Sequence, residues 1–196
     1  MDKVASLNVR RLALVKAPAV GNFLRIDHAH RRVVGLVLRS DKPDLDGDKL
    51  SAEVVQDSQK NWAIGGGCGK GIEDEHGGPL LKNSVFLQFG YSEAPVRIGG
   101  AEIPAGCWFA EVQVSPETMS RIEKGELRGF SVEGSALVRK RENDELFEVD
   151  VADLAGAIVG GLRQAMTGGT TSSSAHRSRP TSGFGRTGGG RMFSRR

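Results

Sequence analysis

Ser131 and His76 are the two residues of this chain best equipped to do chemistry together. Ser131 lies in the run Gly129-Phe130-Ser131-Val132-Glu133-Gly134, and about fifty residues upstream Asp74-Glu75 leads into His76. A serine hydroxyl is a poor nucleophile until a neighbouring imidazole takes its proton, so this pair is the minimum equipment for nucleophilic acyl transfer. The alternation over 130–138 predicts a strand with Phe130, Val132, Ala136 and Val138 on one face. Ser131, Glu133, Ser135 and Leu137 then point to the opposite face. Residue types alone are weak evidence, because any chain of this size has several serines and a few histidines.

Competing motifs fail on their own chemistry. The glycine run 64–71 (IGGGCGKG) suggests a phosphate loop, but Ile64 stands where glycine is needed and Gly71 follows Lys70 in place of Ser or Thr. Asp44, Asp46, Gly47 and Glu53 are spaced as in a calcium loop, yet Lys42 occupies the obligatory aspartate position and would repel the ion. A turn followed by a helix cap explains the same residues. His28 and His30 share a face of an extended segment without a cysteine or acidic ligand set beside them. They read as surface imidazoles, with support of a catalytic histidine as the alternative. Cys107, between Gly106 and Trp108, reads as a small inert hydrophobe. Cys68 and Cys107 predict neither a disulfide framework nor a zinc site, and no metal or cofactor is expected.

The elements that must position Ser131 and His76 are mainly strands. Residues 9–26 predict two short strands around a turn at Pro18 and Gly21, and Arg32 to Arg39 predicts a third strand. Ser51 is placed to cap a helix running to about Trp62, with Val54, Val55 and Trp62 turned to the core. Strands are expected at 84–91 and 106–114, the latter with Trp108, Ala110, Val112 and Val114 on one face and Glu111 and Gln113 on the other. Ser115-Pro116-Glu117 opens a short helix that ends at Lys124-Gly125. A last strand at 146–151 precedes a helix from about Ala152 to Met166. Many strands, few helices and no βαβ alternation point to an α+β or barrel-like antiparallel domain.

The 196 residues have room for one domain over 1–166 and an appendage over 167–196. Apolar content of 38% and charged content of 26% are ordinary for a cytosolic globular protein. No apolar run is long enough to span a bilayer, and Met1 to Lys16 lacks the features of a secretion signal. The net charge of +3 hides an asymmetry: residues 1–166 carry −3, whereas the tail holds six arginines and no acid. That tail, rich in Gly, Ser and Thr, cannot bury enough apolar surface to offset its ordering entropy and is expected to be disordered.

Residues 32–134 resemble the XkdF-like group of phage serine proteases, relatives of prohead maturation proteases. The resemblance rests on features in one order. The turn Asp44-Leu45-Asp46-Gly47-Asp48 comes first, then a helix, then Glu73-Asp74-Glu75-His76. The strand end from Phe89 to Pro95 follows, then Ile103-Pro104-Ala105-Gly106-Cys107-Trp108, and last Lys124-Gly125-Glu126-Leu127-Arg128-Gly129-Phe130-Ser131-Val132-Glu133-Gly134. The resemblance implies a β-barrel flanked by a few helices, of the prohead-protease and herpesvirus-assemblin type. It implies Ser131 as nucleophile, His76 as general base and an acid in the strand after the serine, for which Glu148 is the candidate. Assemblins use a second histidine there, but none lies between Ser131 and His176. Arg128 and Arg139 are candidates to assist at the oxyanion or are surface charges.

The function this implies is that of a serine endopeptidase of phage or prophage head assembly. It would cleave scaffold and major capsid proteins, and itself, in the host cytoplasm inside assembling proheads. A homodimer fits the assemblin analogy, and no membrane partner is expected. The basic tail suits acidic partners, nucleic acid among them. The alternative is a catalytically inactive head-assembly or scaffold protein that keeps the protease fold, since fold does not imply activity.

Overall fold

Runs of aliphatic and β-branched residues make this chain mostly β-sheet. The computed structural model describes residues 3–43, 50–139 and 146–151. In chain order the elements are β1 (Lys3–Val15), β2 (Arg25–Asp27), β3 (Arg32–Arg39), α1 (Ala52–Ile64), β4 (Ile72–Asp74), β5 (Val85–Ser92), β6 (Val96–Ile98), β7 (Ala101–Ile103), β8 (Cys107–Gln113), α2 (Pro116–Glu123), β9 (Gly129–Arg139) and β10 (Leu146–Val151). Ser51 caps α1 by accepting the Val54 N–H, and Ser115 caps α2 by accepting the Thr118 N–H, with Pro116 at the first helical position.

One four-stranded sheet has the order β10-β9-β1-β4 and the other β2-β3-β8-β5, while β6 and β7 form a separate hairpin. The class is α+β, as expected. No closed barrel is found among the described residues, whose strands form separate sheets. Leu12, Leu14, Phe130, Val132, Ala136 and Val138 from the first sheet share a core with Val33, Trp108, Ala110 and Val112 from the second. Trp62 of α1 packs edge-on to Phe86 and Phe89 and tilted against Trp108, with ring centroids 5.3–5.4 Å apart.

Two differences from the sequence reading have simple causes. The two strands expected around Pro18 and Gly21 are present as the end of β1 and as β2, but β1 begins at Lys3, pairs along the whole of β9 and bulges between Val4 and Ser6 and between Val9 and Arg11. The bulges break the period-two pattern by which a long strand would be recognised. The face of β8 opposite Trp108 is also buried, because Cys107 and Phe109 join Val34, Leu36, Ile98, Ala101 and Ile103 in a second cluster. Strands β4, β6 and β7 are only three residues each, too short to show an alternation. The expected helix over 152–166, the expected basic tail over 167–196 and the Asp44–Lys49 part of the expected turn lie outside the described residues. No helix among the described residues is long and apolar enough to cross a membrane.

Candidate active site

The histidine is placed by β4. This strand lies parallel to β1, with Leu12 opposite Ile72, Ala13 opposite Glu73 and Leu14 opposite Asp74. Beyond it the chain must reverse sharply. Glu75 (φ 59°) and Gly77 (φ 71°) take left-handed conformations on either side of His76. The three preceding acids hold that turn. Glu73, buried at 1% exposure, pairs through Oε1 with Arg11 and accepts the Gly77 N–H through Oε2 at 3.3 Å. Asp74 binds Arg121 of α2 at 2.5 Å, and Glu75 accepts the Lys16 N–H at 3.0 Å while its own N–H donates to the Leu14 carbonyl. The carboxylates raise the two guanidiniums above their ordinary value, chiefly through the hydrogen bonds from Arg11 to Glu73 and from Arg121 to Asp74. The acidic run that precedes the histidine is thus the clamp that fixes its loop.

The serine is placed by β9. Phe130 and Val132 on either side of Ser131 are 0% and 1% exposed, and their burial in the core forces Ser131 to the opposite face. The glycines at the ends of the motif allow close backbone approach. A Cβ on Gly129 would meet the Gly21 carbonyl at 2.6 Å and Pro18 at 2.7 Å, and one on Gly134 would collide with the Asn8 carbonyl. Across the sheet, Ser131 stands opposite Ala13, and Ala13 opposite Glu73. The small Ala13 side chain leaves room on this face for a residue from the β4 end to reach the serine.

His76 makes that reach. Its Nε2 lies 2.9 Å from Ser131 Oγ. With Nε2 unprotonated, Oγ–H donates to the imidazole, which is the ground state from which a general base removes the proton of a serine nucleophile. The serine is 4% exposed and the imidazole half-buried, so the bond sits largely out of water, where it is electrostatically stronger. The other ring nitrogen, Nδ1, is buried and finds no hydrogen-bond partner among the described residues.

The structure brings two of the three expected residues together and leaves the third apart. Glu148 is exposed and pairs with Leu137, six positions along β9 from Ser131. At the rise of an extended strand that is about 20 Å. The register of β10 on β9 sets this separation, which the order of residues in the chain does not reveal. Two other acids lie near the ring. An oxygen of Glu73, an oxygen of Glu133 and a ring nitrogen of His76 all lie within 4.8 Å of one another. A cation could be held by such a trio, but the guanidinium of Arg11 already supplies positive charge to Glu73. Glu133 had a signal in the sequence: it is two residues from Ser131 and therefore on the same strand face.

The remaining candidates lie elsewhere. His28 pairs with Glu123 and His30 with Asp27, both exposed, and neither supports His76. The Arg128 guanidinium donates to the Gly125 carbonyl. The buried Cys107 thiol is pushed up to about 12, first by burial and then by the carboxylate of Asp41, 3.5 Å away. Thiol reactivity requires the thiolate. At pH 8 the native protein is therefore expected to titrate one thiol with Ellman's reagent, the exposed Cys68, and a second only after denaturation.

Residues 19–158 match the family described as "Putative phage serine protease XkdF". The chain belongs to that family. The match takes in His76, Ser131, Glu73, Glu133 and Glu148 and begins after β1, so Ala13 and Arg11, on which the pair is built, come from a strand ahead of it. No curated protein and no solved structure matches the chain significantly.

Proposed function

We propose that this member of the XkdF family is a serine endopeptidase of phage or prophage head assembly that cuts scaffold or capsid segments, and itself, by acyl-enzyme chemistry. The single observation that carries the reading is the 2.9 Å separation of Ser131 Oγ from His76 Nε2 in a chain whose family is described as a phage serine protease. His76 takes the hydroxyl proton as Oγ bonds to the peptide carbonyl carbon, giving a tetrahedral oxyanion. The imidazolium then gives that proton to the leaving amine as the C–N bond breaks, which leaves an ester on Ser131. Water, deprotonated by the same imidazole, attacks the ester, and the proton returns to Oγ as the acid departs. No group besides the two side chains and water needs to enter or leave.

The assemblin-like character, the shell as working compartment and the scaffold and capsid substrates form part of this proposal and rest on the resemblance to prohead maturation proteases. Purified full-length protein is expected to shorten itself on incubation and to cut co-expressed scaffold, as read by intact mass, and Ser131→Ala is expected to do neither. Wild-type protein that stays intact and leaves scaffold uncut would support the non-catalytic assembly role instead.

A further inference from the structure

A histidine that acts as general base needs its second nitrogen fixed, because rotation or the wrong tautomer turns the accepting lone pair away from the serine. Here Nδ1 is buried without a hydrogen-bond partner among the described residues, and the acid expected to hold it, Glu148, is on a distant part of the sheet. Two carboxylates lie beside the ring. Glu73 is already engaged at both oxygens, by Arg11 and by the Gly77 N–H. Glu133 is not. Its closest charged contact is Arg10 at 3.9 Å, its side chain is 25% exposed, and it extends from the same face of β9 as Ser131.

We propose that Glu133 is the positioning acid of the site, accepting the Nδ1–H of His76, while Glu73 holds the loop that carries the histidine. The proposal rests on the peptidase reading above. Its physical content is that the nucleophile and the acid are two residues apart on one strand, so a single register places both. The small Ala13 between Ser131 and Glu73 leaves space over which the imidazole can lie, and a rotation of the flexible Glu133 side chain closes the remaining distance to the ring. Arg11 on β1 stands directly opposite Glu133, with Arg10 beside it. Glu73 on β4 and Glu133 on β9 lie beside the imidazole. Arg10 also binds Asp150 at 3.0 Å, Asp74 on the histidine's loop binds Arg121 of α2, and Glu75 accepts the Lys16 N–H, so among the described residues Glu133 is the acid near the ring with no close cation of its own.

Glu133→Gln is nearly isosteric, lies on a partly open face, and is expected to fold normally by circular dichroism. Two readouts on the full-length chain test it. The first is the rate of Ser131 labelling by a fluorophosphonate probe. We expect a loss of about 100-fold, the low end of what proton transfer by a positioned side chain contributes. The second is the NMR resonance of the His76 Nδ1–H, assigned with His76→Gln, in a Ser131→Ala background. A ring N–H donated to a carboxylate is expected downfield and protected from exchange, and Glu133→Gln is expected to move it upfield and speed its exchange. Glu148→Gln should move neither readout. The proposal is overturned if Glu133→Gln leaves the Nδ1–H resonance unchanged, or if Glu148→Gln reproduces its effects. A wild-type protein that takes no label, with the resonance still moved in Glu133→Gln, would sink the peptidase reading and leave the placement of Glu133 standing.

Discussion

Ser131→Ala and His76→Ala are each expected to reduce peptide hydrolysis by on the order of 10⁴-fold or more, and the double variant by little beyond either single one. The reason is the geometry: Oγ and Nε2, 2.9 Å apart, act as a unit, so removing either leaves the other with nothing to do. Both variants should fold. Ser131→Ala changes the side-chain volume little, and His76 sits on a turn held by Glu73, Asp74 and Glu75 rather than by its own ring. Single-turnover cleavage of a scaffold-derived peptide, with folding checked by thermal melts, measures the loss. Additive losses from the two single substitutions would mean that serine and histidine act independently, and the acyl-enzyme mechanism would then fail.

The second large effect is on stability. Phe130→Ala is expected to destabilise the domain by about 3–5 kcal/mol, the range for a fully buried phenylalanine. Phe130 is 0% exposed, meets Phe23 edge-to-face at 5.4 Å, and packs so closely on β3 that a Cβ added to Gly35 would lie 3.1 Å from its ring. The neighbouring Gly35 has no side chain to move into the space. Against a typical domain stability of about 5–15 kcal/mol this is a large share, and the melting temperature should fall by roughly 10 °C. Leu137→Ala, on the same strand but 39% exposed, should change stability by less than about 0.5 kcal/mol. Urea unfolding of the two variants makes the comparison. Equal midpoints would contradict the assignment of Phe130 to the shared core of the two sheets.

Local chemistry was readable in the residues themselves. The serine caps of α1 and α2, the proline after the second, and the strands β3, β5, β8 and β9 follow from side-chain preferences that act over a few residues. So does the outward aim of Ser131, which period two imposes once Phe130 and Val132 are buried. Less was readable where the pattern is interrupted or too short. The bulges in β1 left only the end of a 13-residue strand legible, and β4 is three residues long although it carries the turn that bears His76. The second apolar cluster gave no local sign either, because β8 is covered on both faces by elements remote in the chain.

The chain order nominated a serine and a histidine, and the alternation of β9 decided which way the serine points. Whether the two meet depended on β1 lying between β9 and β4, and on that row holding the small Ala13. The acid shows the division most sharply. The family resemblance nominates Glu148 in the strand after the serine, but β10 pairs so that Glu148 faces Leu137, while Glu73 and Glu133 lie beside the imidazole. Side-chain direction is a local property of a strand, with a period of two residues. Which strand is neighbour to which, and in what register, is set by the packing of the whole core, and only there does the proximity of distant side chains arise.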